Sequence, residues 1–183
     1  MKLTIPLYQE KYRNEGQDVF FVRPLFFDHV EASRPELRRA TDSVRNAVRK
    51  VVQTMGQEMR HDALCWATQC PEISEHHIKV RIQLRRRTVE TSYLFCTWTQ
   101  NGVRLAFTPR LPGLMFEVGR GEDLAARAEQ VLTAHYRKLE RDQETVDPNT
   151  DGIRGSGWIS YLDLNVSVES VHVAPRKADR AEI

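Results

Sequence analysis

Residues 61–77, "HDALCWATQCPEISEHH", gather His61, Cys65, Cys70, His76 and His77 into one short segment. Imidazole and thiolate are the ligands zinc prefers, and a structural site needs four of them around the ion. The spacing argues against it, because Cys-x4-Cys is loose for zinc and no second Cys-x2-Cys knuckle follows. The expectation is no metal and no cofactor. For nucleophilic catalysis, Cys65 or Cys96 would need a base in reach and a lowered pKa. Cys96 lies within "YLFCTWT", a strand-like run in which a free thiol is ordinarily a small packed side chain.

Other chemistries fare no better. The chain has no Gly-x-Ser-x-Gly elbow and no phosphate-binding glycine loop. "VGRGED" carries two glycines, but Glu122 and Asp123 would repel a phosphate there. Two-metal hydrolysis needs clustered carboxylates. Asp18 and Glu90 sit at strand ends and Asp163 stands alone inside a strand, where it forms a solvated face with Asn165 and Ser167. No catalytic residue is assigned, and an enzyme is the least favoured class.

The remaining candidates are Lys79, Arg81, Arg85, Arg86 and Arg87. Period-two alternation puts Lys79, Arg81, Gln83 and Arg85 on the face opposite Ile78, Val80, Ile82 and Leu84, a basic stripe able to follow a phosphate backbone or meet a partner protein. The same charges would also discourage edge-to-edge sheet aggregation. Lys+Arg exceed Asp+Glu by only 2, so there is little long-range field to gather a polyanion. Nor are aromatics interleaved with the basic run, as single-strand binders require; Phe20, Phe21, Phe26 and Phe27 read as core. Nucleic acid is therefore the disfavoured partner and another protein the favoured one.

Those residues must be held by a scaffold, and the chain writes its scaffold twice. "YLFCTWTQ" and "VRLAFTP" flank Asn101-Gly102, the strongest short hairpin signal, because both positions tolerate positive φ. Pro109 and Pro112 cannot donate to a ladder and end the second strand near Thr108. Gly113 turns the chain into a third short strand, "LMFEV". Leu124, Ala128, Val131, Leu132, His135 and Leu139 then recur at helical spacing, with Glu122 and Asp123 before them and Arg137 and Lys138 near the end, as the helix dipole favours.

The first half has the same grammar. Two β-prone runs flank Asn14-Glu15-Gly16, Pro24 ends the second, and "LFFDHV" offers a third strand. Ser33 and Glu36 suit a capping box with Pro35 in the first turn, which predicts a helix over 34–55 with the stripe Leu37, Thr41, Val44, Val48, Val51 and Met55, ended by Gly56. Gly16 and Gly102 lie 86 residues apart, Pro24 and Pro109 85, Leu37 and Leu124 87. After each helix comes an alternating strand: Ile78 to Leu84, then Leu162, Leu164, Val166 and Val168. The prediction is an α+β fold of two tandem β-β-β-α-β units, residues 1–88 and 89–173, packed as an internal pseudo-dimer, with 174–183 as a tail or linker. One such unit has a bare sheet face and two edges, so a second copy is the natural cover. Residues 142–157 read as a polar loop.

The stretch from the glycine hairpin through "FTPRLPG", a short strand and "GEDLAARAEQVL" resembles the HicB antitoxin domain. That resemblance implies a partial ribonuclease-H-like fold, covers about residues 93–139 by motif, and extends to 8–55 by pattern only. The chain departs from the family in having "GRGED" where Gly-Asp-Thr usually opens the helix. It also lacks a recognisable operator-binding helix-turn-helix or ribbon-helix-helix after the second unit. "KLTIPLYQEKYR", "FFVRPLFF" and the open end "APRKADRAEI" also resemble regions that precede the ATPase modules of Clp-type AAA+ proteins.

These resemblances imply a non-catalytic protein-recognition module, either the substrate- or partner-binding front of an AAA+ chaperone or an antitoxin that neutralises a partner. Its partner would be a substrate, an adaptor or a toxin, and a homo-oligomer would follow if it belongs to an AAA+ machine. The alternative is an RNA- or DNA-binding module using the basic strand. Three cysteines make no disulfide framework. No run is apolar enough for a membrane span, and "MKLTIPLYQEKYR" lacks the core of a signal peptide, so a cytoplasmic location is expected.

Overall fold

A computed structural model describes residues 2–25, 27, 29–54, 72–111, 113–142, 144, 146–152 and 155–165. The fold is mixed α+β, with two four-stranded antiparallel sheets and three helices among these residues. The first sheet holds β1 (Lys2–Asn14), β2 (Gln17–Pro24), β3 (Ala32–Arg34) and β8 (Ser156–Asn165), in the order β3-β2-β1-β8. The second holds β4 (Ser74–Gln83), β5 (Thr88–Gln100), β6 (Val103–Phe107) and β7 (Met115–Val118), in the order β4-β5-β6-β7.

Both leading hairpins close with two residues at positive φ: Glu15 (49°) with Gly16 (83°), and Asn101 (52°) with Gly102 (78°). That is the turn whose twist matches paired strands. It sets the registers Asn14↔Gln17 and Gln100↔Val103.

Helix α1 (Leu37–Thr54) covers the outer face of the first sheet with Ala40, Val44, Val48 and Val52. Helix α2 (Leu124–Arg141) covers the second with Leu124, Ala128, Leu132 and Tyr136. A short α3 (Pro148–Asp151) lies inside the segment read as loop and accepts a hydrogen bond from the buried Tyr93 hydroxyl at the Pro148 carbonyl, 3.0 Å. The inner faces of the sheets meet through Tyr8, Phe21, Leu25, Leu94 and Cys96. The layers therefore run helix, sheet, sheet, helix. No helix among the described residues is long and apolar enough to cross a membrane.

Four local expectations are corrected. The third strand is not "LFFDHV" but Ala32–Arg34, paired with Phe20 to Val22; His29 at φ 63° turns the intervening chain out of extended geometry. Helix α1 starts at Leu37, leaving Ser33 in β3, so the Ser33/Glu36 capping box does not form where it was read. The buried α1 stripe includes Ala40 and Val52, with Leu37 and Val51 at its margin. In α2 the core position is Tyr136, with His135 half-buried beside it.

The strand that follows each helix joins the sheet covered by the other helix. β4 turns through Leu84–Arg87 into β5, with Leu84 N–H donating to the Arg87 carbonyl at 2.9 Å. β8 returns to β1 in a long antiparallel ladder from Lys2↔Asn165 to Lys11↔Ser156. A tight hairpin has little loop entropy to overcome, so β4 pairs with its neighbour in sequence and leaves the edge of β1 to β8.

Candidate recognition surface

The most chemically loaded region lies between the sheets. Tyr8 and Glu10 are two apart on β1 and share its inner face, and both are fully buried. The Tyr8 hydroxyl donates to Glu10 Oε2 at 2.7 Å. From the other sheet's side, Arg110 Nη1 lies 3.6 Å from Glu10 Oε2, and its Nη2 donates to the Thr150 carbonyl at 3.2 Å. Gly157 on β8 makes this arrangement fit, because a Cβ there would stand 3.0 Å from the Tyr8 ring.

Two guanidiniums approach the Phe21 ring, those of Arg23 at 5.3 Å and Arg110 at 5.4 Å from its centre. Arg23 Nη1 donates to the Pro109 carbonyl at 2.9 Å, and its Nη2 pairs with Glu31. Arg23 thereby ties Pro109 to Glu31 in the segment after Pro24.

Neither buried acid here is set for catalysis. Burial, reinforced by the Glu10 carboxylate, pushes the Tyr8 phenol well above its ordinary value. Burial does the same to the Cys96 thiol. Both stay protonated at neutral pH, and a protonated, enclosed thiol is a packing group rather than a nucleophile.

Where the two proline segments converge, they leave a cavity of about 270 Å3. Pro24, Leu25 and Phe27 line it from one side; Phe107, Pro109 and Leu114 line it from the other. Met115, half exposed, and His29 are at its rim. Thr108 also lines it, with no residual exposure and no hydrogen-bond partner for its hydroxyl among the described residues.

The basic residues named from sequence occupy the exposed face of β4 and its exit. Lys79 Nζ and Arg81 Nε pair with Glu90 at 3.3 and 3.5 Å, and Arg87 approaches Asp147 at 3.9 Å while donating to the Val146 carbonyl at 3.1 Å. Arg85 and Arg86 extend from the hairpin turn into solvent. The structure thus spreads these five cations over a strand face and a turn, and neutralises part of that charge locally.

The outer edge of β4 is occupied from within the chain. Arg81 and Arg85 backbone N–H groups donate to Glu129 and Glu140 at 3.0 and 3.1 Å, and the Gln83 N–H donates to Thr133 at 3.4 Å. Arg137 Nε donates to the Gln83 carbonyl at 2.9 Å. One face of α2 therefore takes the ladder positions that another strand would use.

Of the zinc candidates, His61, Cys65 and Cys70 lie outside the described residues. His76 and His77 alternate on β4; His76 Nε2 is 2.9 Å from Thr97 Oγ1, and burial with nearby Arg104 holds its pKa below the usual value. Asp18, Glu90 and Asp163 stand apart, each in its own exposed ion pair, with Lys11, Lys79 and Lys2 respectively. At the start of α2, Asp123 accepts from the Ala125 and Ala126 N–H groups and Glu122 accepts from Gly119 N–H, filling the donors an anion would need.

Sequence reasoning missed the seam. Glu10 reads as an ordinary strand charge, and Arg110 as the variable residue of Pro-x-Leu-Pro-Gly. The one signal pointing to them was that Pro24 and Pro109 fall 85 residues apart, each at the end of a β-prone run. No protein-family model, curated protein or solved structure matches the chain.

Proposed function

We propose that the chain is a non-catalytic protein-recognition module made of two fused β-β-β-α-β units that form an internal pseudo-dimer. The reading keeps the likeness in plan to HicB-type antitoxin domains and to the front regions of Clp-type AAA+ proteins. Its role would be to select a substrate or adaptor for such a motor, or to neutralise a toxin.

The observation that carries it is the cavity at the seam. It is apolar, it opens beside the half-exposed Met115, and it is formed by corresponding proline segments of the two halves. Concave apolar sites with a few placed polar groups are where proteins bind partners and ligands. The sealed β4 edge moves the docking site away from that strand. Duplication is supported by α2's edge-covering residues Glu129, Thr133, Arg137 and Glu140, because α1 has Asp42, Asn46, Lys50 and Gln53 87 positions earlier.

The test is site-specific photocrosslinking. A benzophenone side chain at Met115 should trap one discrete partner in cells of the source organism, and the same group at exposed Val103 should not. Trapping at neither position, or equally at both, would remove the seam from the function.

The second reading, nucleic-acid binding by Lys79, Arg81, Arg85, Arg86 and Arg87, rests on the solvent-facing Arg85 and Arg86. Each phosphate contact would contribute a log-log salt slope of about −0.7 to −0.9. The expected result in fluorescence anisotropy with labelled RNA and DNA is no tight binding near physiological salt. Sub-micromolar affinity that falls on changing Arg85, Arg86 and Arg87 to Ala would promote this reading over the first.

A further inference from the structure

We infer that the outer face of the second sheet carries a binding site for a carboxylate monoanion, with Arg104 as the group that binds it. This goes beyond the protein-recognition reading and does not depend on it. Three observations carry it: a polar cavity, an arginine with no partner, and the charge around that arginine.

The cavity is separate from the seam. It measures about 560 Å3, within the range of small-molecule sites, and Glu72, Ser74, His76, Thr97, Thr99 and Arg104 line it. The ladders of β4, β5 and β6 bring these residues together, since Ser74 pairs with Thr97 and Thr99 with Arg104. Thr97 and Thr99 continue along β5 on the face where Phe95 packs in the core under α2. α2 supplies none of the lining residues, so this end of the face is left to polar side chains.

A charged side chain taken partly out of water ordinarily has a partner. Among the described residues, the other half-buried arginines all follow that rule. Arg23, Arg45, Arg110 and Arg127 pair with carboxylates, and Arg49 donates to Asn46. Arg104 is half-buried as well, yet it makes no hydrogen bond or ion pair among the described residues. Glu72, the acid in the same cavity, does not pair with it.

The surroundings select the class of anion. A guanidinium offers parallel N–H donors that match a planar carboxylate. His76 adds no second cation at neutral pH, because burial and the Arg104 charge hold its pKa below the usual value. Glu72 adds a negative charge to the wall. One cation beside one acid suits a monoanion and disfavours a phosphate dianion. The Ser74 and Thr99 hydroxyls are neutral donors for the remaining oxygen lone pairs, and so is Thr97, whose Oγ1 lies 2.9 Å from His76 Nε2.

The experiment titrates the whole chain with sodium acetate, N-acetylglycylglycine and inorganic phosphate at constant ionic strength, at a mildly alkaline pH where phosphate is a dianion. The His76 ring and Arg104 Nε–H resonances are followed. The expected result is saturable shifts at both residues with the two carboxylates and weaker binding of phosphate. Arg104→Gln should weaken acetate roughly tenfold, the factor that loss of one charge-assisted hydrogen bond brings. Bound acetate should also raise the His76 pKa, because a nearby anion favours the imidazolium; Arg104 and Glu72 are the charged groups lining the cavity with it. Should Arg104→Gln fail to fold, Thr99→Val is the second variant: it keeps the cation, removes one neutral donor and should weaken acetate by a smaller factor.

Tighter binding of N-acetylglycylglycine than of acetate upholds the site and assigns its carboxylate to the end of a peptide chain. Equal or weaker binding upholds the site and assigns it to a free small acid. Absence of saturable shifts with both carboxylates overturns the inference. So does phosphate bound as tightly as acetate, or acetate binding that survives Arg104→Gln undiminished.

Discussion

The core between the sheets has two ends, and they are made of different chemistry. At one end β1 supplies Glu10, which meets Arg110, the residue after Pro109. At the other end β5 supplies Cys96, 86 residues after Glu10, and it packs in one cluster with Leu25, the residue after Pro24. The first end is an ionic contact with a tyrosine hydroxyl attached; the second is an apolar contact of thiol and leucine.

Burying an ion pair is an inefficient route to stability, since desolvation offsets most of the attraction. What the ionic end adds is direction: Arg110 must face Glu10, so the two sheets can meet in one relative placement and not slide. The cation-π contacts of Arg23 and Arg110 on Phe21 reinforce that placement.

The comparison breaks most severely if the halves are not one cooperative body. Val44 and Leu132 are buried at 1% and 0% exposure in the separate helix layers. Val44→Asp places an uncompensated charge in the first layer and should abolish folding. Because β8 and β4 each belong to the opposite half's sheet, the near-ultraviolet circular dichroism of Trp98 in the second sheet should vanish with it. Leu132→Asp should have the same result. A Val44→Asp chain that keeps its Trp98 signal would show two independent units.

A smaller effect is expected at the ionic end. Arg110→Leu removes the guanidinium from a fully buried carboxylate, and urea unfolding should show a loss of about 3 kcal/mol. Copying the apolar end, with Glu10→Cys and Arg110→Leu together, should recover most of it. If the double variant is no more stable than the single, the two ends are not interchangeable.

Covering the β4 edge is worth less. The carboxylates of Glu129 and Glu140 are solvent-accessible, so replacing both with Ala should cost about 1 kcal/mol in all. The clearer readout is sedimentation: an uncovered edge strand should raise self-association with concentration. Unchanged sedimentation would mean that another feature protects β4.

The smallest effect separates the two ends by pH. Burial raises both the Cys96 thiol and the Tyr8 phenol in the folded chain. A group whose pKa is raised by folding contributes its full stabilisation below its ordinary value and loses it as pH rises past that value. Stability should therefore begin to fall near pH 9 through Cys96 and near pH 10 through Tyr8. Cys96→Val should remove the earlier part of the decline and leave the later part, as read from urea midpoints across that range.

Several features were legible before any coordinates. Asn101-Gly102 and Glu15-Gly16 close hairpins because few residues accept positive φ at two consecutive positions. Pro24 and Phe107-Thr108-Pro109 end strands because proline lacks a ladder donor, and the stripes Val44-Val48 and Leu124-Ala128-Leu132 fix which helix faces are buried. Less legible was the third strand of the first half, since the apolar run "LFFDHV" reads as a strand while the Ala32–Arg34 that forms one has no apolar pattern.

From the sequence alone, then, came the two hairpins, the two long helices and most of their apolar faces, because each depends on residues within a few positions of one another. The tertiary structure alone decided which strand lies beside which: β4 pairs forward with β5 and β8 closes on β1, so each sheet is completed from the other half. It alone brought Glu10 to Arg110 and enclosed Thr108 beside a cavity. Those are contacts between residues about a hundred positions apart, and they form only once hydrophobic burial has pressed two sheets together.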